Sequence, residues 1–200
     1  MTYKITRRRA IVTGTASILA LGMSPAFALS EAEATRLINA VVNDINRAIN
    51  SGKRGTALYR DFEAIFTKYA DVPTISRSIL GPPARSASQG QLRAFAQSLT
   101  GYLSRKYGKR FRDFQGGEVE VTGARQIKSF QEVRGIATAR GVAPFAVSFM
   151  VSDRSGKDKF FDMLIEGISL LKAERSEIGA VLDRVGGDID KLTQELKKLG

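Results

Sequence analysis

The chain has 200 residues, 31 of them lysine or arginine against 20 aspartates and glutamates, a net charge of +11, and it contains neither histidine nor cysteine. Disulfides, thiolate nucleophiles, imidazole general bases and Cys/His metal centres are thereby excluded, so the fold must be held by packing alone.

Lys4, Arg7, Arg8 and Arg9 are followed by a weakly apolar run to about Met23 and then by Ala26-Phe27-Ala28. This is the three-part layout of an export signal with a small-x-small cleavage motif, so residues 1–28 are expected to be removed and the mature chain to start near Leu29. The run is too short to span a bilayer, which takes about 20 apolar residues. Arg8-Arg9-x-Ile11-Val12 fits a twin-arginine address as well as a general secretory one, and both stay open. Residues 29–200 are expected to form one domain. The basic surplus that remains suits anionic partners, which for an exported protein means lipid headgroups rather than nucleic acid; it also serves solubility.

Ser30-Glu31-Ala32-Glu33 has the form of a capping box, and the helix it opens carries Leu37, Ala40, Val41, Asp44, Ile45, Ala48 and Ile49 at helical spacing. A second amphipathic run carries Leu58, Phe62, Ile65, Phe66 and Tyr69. Asp71-Val72-Pro73 ends it, and Pro73 suits the start of a short third helix through Ile75, Ile79 and Leu80, stopped by Gly81-Pro82-Pro83. Ser88-Gln89-Gly90-Gln91 repeats the capping pattern before the longest helix, expected to run to about Phe114 with Leu92, Phe95, Leu99, Tyr102, Leu103, Tyr107 and Phe111 as its stripe. Arg105, Lys106, Lys109, Arg110 and Arg112 cluster near its end, where cations suit the helix dipole and could also meet a headgroup.

The period changes after Gly116-Gly117. Glu118-Val119-Glu120-Val121 alternates, a second strand is expected within 131–138 with Gly135 blurring its facing, and Phe145, Val147, Phe149 and Val151 define one face of a third. Asp153-Arg154-Ser155-Gly156 is a turn, after which the chain pairs back with Phe161, Met163 and Ile165 on one face. Gly167 then supplies either a turn with φ > 0 or a place where another backbone comes close. Two closing helices are expected at 176–185 and 188–199. The layout predicts an α+β fold of N-terminal helices, a four-stranded, mainly antiparallel sheet and C-terminal helices.

No residue set carries chemistry. Gly167-Ile168-Ser169 lacks the further glycine of a nucleophile elbow, Leu171 standing in its place, and Glu118 and Glu120 share a strand face as solvated decoration. No catalytic residue, metal site or cofactor is expected. What remains is apolar surface converging on one layer, which a solid core and a cavity would explain equally.

The segment Asp162-x-x-x-Glu166-Gly167-Ile168-Ser169 resembles the strand signature of the MlaC family, also called toluene-tolerance proteins. In order, Asp71 and Pro73, Leu80-Gly81, Phe95 through Leu103 and Tyr107 extend the resemblance over nearly the whole mature chain. It implies an NTF2-like, MlaC-like lipid-binding fold: a sheet wrapped by helices round an apolar pocket that holds acyl chains, with the headgroup near solvent. Carried onto this sequence, the pocket would be lined by Ile79, Phe95, Leu99, Leu103, Phe145, Val147, Phe149, Phe161, Met163 and Ile165. It further implies a monomeric periplasmic carrier of phospholipid, working between an inner-membrane ABC transporter with a lipid-binding ring subunit and an outer-membrane lipoprotein–porin complex. Ala84 and Asp158 stand where tryptophans are usual, so a hopanoid is an alternative ligand. An adaptor with a solid core and no lipid is the alternative of another class.

Overall fold

The computed structural model describes residues 29–111, 116–139 and 141–200, the Phe111 side chain excepted. The expected leader at 1–28, with its twin-arginine motif, the end of the long helix near Phe114 and Arg112 lie outside the described residues. Helices α1 (Glu31–Asn50), α2 (Thr56–Tyr69), α3 (Val72–Leu80) and α4 (Gln89–Phe111) precede the strands, with a 3-10 turn at Pro82–Arg85. Strands β1 (Glu118–Ile127), β2 (Phe130–Ala139), β3 (Val142–Ser152), β4 (Lys159–Ile165) and β5 (Ile168–Ser169) follow, then α5 (Leu170–Arg184) and α6 (Ile189–Lys198).

Both capping boxes form. The Ser30 hydroxyl accepts the Glu33 N–H and the Glu33 carboxylate accepts the Ser30 N–H; the Ser88 hydroxyl accepts the Gln91 N–H while the Gln91 side chain accepts the Ser88 N–H. Each satisfies two donors that a helix start leaves free.

The sheet is an antiparallel meander in the order β1-β2-β3-β4-β5, with five strands where four were expected. The fifth arises at Glu166-Gly167. Their φ angles of 49° and 77° make a two-residue turn that pairs Ile165 with Ile168 and Leu164 with Ser169, the left-handed pair a tight hairpin requires. A Cβ on Gly167 would meet nothing within 4 Å, so the glycine serves the turn and not a close approach. The close approach is instead at Gly135, where a Cβ would lie 2.7 Å from the Glu120 carbonyl oxygen on β1. Strand β1 runs past its expected end at Val121 because a bulge between Val121 and Gly123 resets the register and pairing continues to Ile127. Helix α5 likewise starts at Leu170 and not at Ser176, since Ser169 caps it by accepting the Lys172 N–H.

Among the described residues, packing divides into two large clusters and a small third one of Ala48, Ile49, Leu58 and Phe62 between α1 and α2. One large cluster joins α3, α4, α5 and α6 around Phe95, Leu99, Ile178, Leu192 and Leu196. The other large one lies between α1 and one sheet face, with Ala34, Ile38 and Val41 against Val133, Val147, Phe149 and Val151. Among the described residues no helix is long and apolar enough to cross a membrane.

Candidate functional site: a divided apolar cavity

The two large clusters meet at Phe160, which packs against both, but do not fill the space beside it. Between them lie two adjoining cavities, of about 140 and about 230 Å³, which share Ile45, Tyr107, Phe149, Met163 and Leu170 as common wall. The smaller, inner in being set against α2 and α3, is bordered by those helices (Phe62, Phe66, Ile75, Ile79), by Leu103 of α4, by Phe160 and Phe161 of β4 and by Leu171 of α5. The outer one runs along α1 and the sheet (Val42, Ile49, Phe145, Val147, Ile165) and ends at a polar edge of Asn46, Arg110, Glu118 and Thr138.

The polar groups of the inner wall are largely tied up. Asp162 accepts the Ser169 hydroxyl at 2.6 Å and the backbone N–H groups of Met163 and Leu171, which welds the end of β4 to the start of α5. One oxygen of the buried Glu174 accepts the Tyr107 hydroxyl at 2.6 Å and the Lys106 ammonium at 2.7 Å. Lys106 also donates to Glu177 at 2.6 Å. Burial and then the Glu174 carboxylate push the Tyr107 phenol far above its ordinary value, so it stays a donor at any ordinary pH. Burial pulls the Lys106 ammonium down, but its bonds to Glu174 and Glu177 outweigh that and its pKa ends above the usual lysine value. The Lys106 bond holds the Glu177 carboxyl below its usual range. These linkages fix α4 against α5, while the second Glu174 oxygen is buried without a partner among the described residues.

Of the ten residues expected to line a lipid pocket, Ile79, Leu103, Phe145, Val147, Phe149, Phe161, Met163 and Ile165 border one or other of these cavities. Phe95 and Leu99 do not. Both are fully buried in the helical cluster; the α4 stripe starts inside a solid core and reaches the cavity only at Leu103 and Tyr107, a transition that spacing cannot reveal. Phe160 was missed for a specific reason. A bulge after Met150 makes Phe160 oppose Val151, so Phe160 joins Phe161 in the cavity lining where a two-residue period admits only Phe161 of the two. The linings from α1 and α2 were visible as amphipathic faces, but nothing in a helix face distinguishes a cavity wall from a core.

The motif residues build the frame. Asp71 caps α3 by accepting the Thr74 N–H and donates its own N–H to the Phe160 carbonyl, tying α3 to β4. Pro73 stands in the first turn of α3 and Leu80 is buried at its end. Gly81, at φ 69°, leaves room for Arg175, whose guanidinium would lie 3.0 Å from an added Cβ. The Glu166 carboxylate accepts the Ala146 N–H beyond the last β3–β4 pair, and the Ala146 carbonyl accepts the Glu166 N–H. The basic cluster is mostly structural as well: Arg105 donates to the carbonyls of Leu196 and Leu199, and Lys109 to that of Gly200. Arg110 alone of the four described cations reaches a cavity, lying over the Tyr107 ring. Ala84, where a tryptophan was missed, packs in the helical cluster and lines neither cavity.

Sheet, helices and the mainly apolar cavities between them define the class, an α+β domain built round a cavity. A family model described as MlaC protein matches residues 35–198, and the chain belongs to that family. It is 23% identical over 135 residues to the intermembrane phospholipid transport system binding protein MlaC of Haemophilus influenzae, the match covering 65% of this chain and 62% of that protein. Its fold is that of a phospholipid-binding protein from Ralstonia solanacearum solved in complex with a phospholipid, with a TM-score of 0.71 and 18% identity over 82% of this chain and 95% of that one.

Proposed function

We propose that the protein is a periplasmic phospholipid carrier. The observation that carries this reading is the pair of adjoining cavities between the helices and the sheet, mainly apolar along their shared wall, with Asp162 and Glu174 in one wall bonded to protein groups and an open polar edge at Asn46, Arg110, Glu118 and Thr138. An amphiphile fits that layout in one orientation, with acyl chains against Phe149, Met163 and Leu170 and the headgroup at Asn46 and Arg110. Exposing two long chains to water costs on the order of 20 kcal/mol at about 0.8 kcal/mol per methylene, so lipid crossing an aqueous compartment needs such a shield. The family and the fold support the phospholipid. With no polar anchor along the shared wall, the lipid leaves as readily as it enters, and direction is set by partners: an inner-membrane ABC transporter with a lipid-binding ring subunit and an outer-membrane lipoprotein–porin complex. No catalytic step is involved.

Native mass spectrometry of the protein purified from the periplasm, followed by organic extraction, tests the reading. One phospholipid per chain is expected. An extracted hopanoid would keep the carrier and change its cargo; a lipid-free chain that takes up none from vesicles would leave the adaptor.

A further inference from the structure

Leu29 occupies a prepared site. Its side chain is buried, 7% exposed, in the cluster that joins α1 to the sheet. Its carbonyl accepts the Gln131 amide at 2.8 Å, and its backbone nitrogen donates to the Asp153 carboxylate at 3.3 Å. Two elements distant in sequence supply these groups. Gln131 opens the β2 pairing opposite Val151, and Asp153 follows the end of β3, so the sheet register itself brings amide and carboxylate to one place. Gln131 is only 4% exposed, and its Oε1, one carbon away from the nitrogen that holds Leu29, is buried without a partner among the described residues. Ser30 follows at once as the cap of α1. A single amide N–H leaves this acceptor-rich pocket undersupplied with donors, whereas an ammonium brings three.

We propose that Leu29 is the amino terminus of the working protein and that Asp153, with Gln131 beside it, is its socket. An export peptidase adds water across the Ala28–Leu29 peptide bond. The C–N bond breaks, Ala28 departs as a carboxylate with the leader, and the Leu29 nitrogen takes up a proton to become an ammonium. The bond from a neutral N–H to the Asp153 carboxylate thereby becomes an ion pair, with donor and acceptor both charged. Processing thus tightens the start of α1, the helix that supplies Val42, Ile45 and Ile49 to the cavities.

The test compares two forms that contain every described element: residues 29–200 with a free amine, and the same chain preceded by Gly-Ser, in which the Leu29 nitrogen is an amide. The free-amine form is expected to melt about 2–4 °C higher, the shift a gain of one such pair gives a domain of this size. D153N, whose amide oxygen still accepts an N–H, is expected to abolish that gap while moving the extended form little. Intact mass of the exported protein is expected to give a chain starting at Leu29. A different start, equal melting of the two forms, or a gap that survives D153N would each overturn the proposal.

Discussion

Val147 lies where cavity and core are told apart by one substitution. It lines the outer cavity, and its cross-strand neighbours are Ile165 and Gly135, the second of which contributes no side chain. Replacing it with tryptophan in a solid core would cost about 1–3 kcal/mol of strain, a drop of roughly 2–4 °C in Tm for each kcal/mol. With about 230 Å³ open in front of it, the indole has somewhere to go. The lipid-free Val147→Trp protein is therefore expected to melt within about 2 °C of the parent. The indole does, however, occupy space an acyl chain would fill. Displacing even two methylenes forfeits about 1.6 kcal/mol of burial, more than a tenfold loss of affinity. Lipid per chain after exchange with phospholipid vesicles, measured beside melting of the delipidated protein, reads both quantities. A Tm lowered by 5 °C or more, roughly the strain of a filled core, with lipid retained would put Val147 in packed interior and refute the reasoning.

Phe95→Ala is expected to do the reverse, lowering stability by about 3–5 kcal/mol in denaturant titration while the folded fraction keeps its lipid; loss of lipid at unchanged stability would move Phe95 to the cavity wall. Gly167→Val should cost roughly 1–3 kcal/mol because valine resists the left-handed turn, and Gly167→Asn distinctly less, since asparagine tolerates it; equal losses would show that the turn is not the cause. The Glu177 carboxyl has a lowered folded pKa, so its contribution is present above its unfolded value and is lost as the pH falls through the folded one. Melting curves from pH 6 down to pH 3 should accordingly fall less steeply for Glu177→Gln than for the parent, and parallel curves would remove Glu177 from the acid response.

Local chemistry made much of this fold legible in the sequence. Capping boxes at Ser30 and Ser88, the break between α2 and α3 at Asp71-Val72-Pro73, and the alternation of Phe145, Val147 and Phe149 each depend on near neighbours and stand in the structure, where Asp71 also serves as a cap that the sequence reading did not assign. What stayed hidden depends on distant partners. The β1 and β4 bulges are set by the strands across from them, so the extension of β1 and the inward turn of Phe160 had no local signal. Leu99 and Leu103 stand on one stripe at helical spacing and belong to one buried cluster, yet only Leu103 also borders a cavity. That difference belongs to α6 and β4, and no property of α4 encodes it. Glu174 lies ahead of the closing helix expected from residue 176; its burial against Tyr107 and Lys106 follows from how α5, begun at Leu170, meets α4.

The central claim is that acyl chains occupy the divided cavity, and photocrosslinking tests it most directly. A phospholipid with a diazirine at the end of one acyl chain, loaded from vesicles and irradiated, is expected to label the shared wall at Ile45, Phe149, Met163 and Leu170, with labelling suppressed in Val147→Trp. Adducts confined to exposed apolar residues such as Ile168, unaffected by that substitution, would contradict the account.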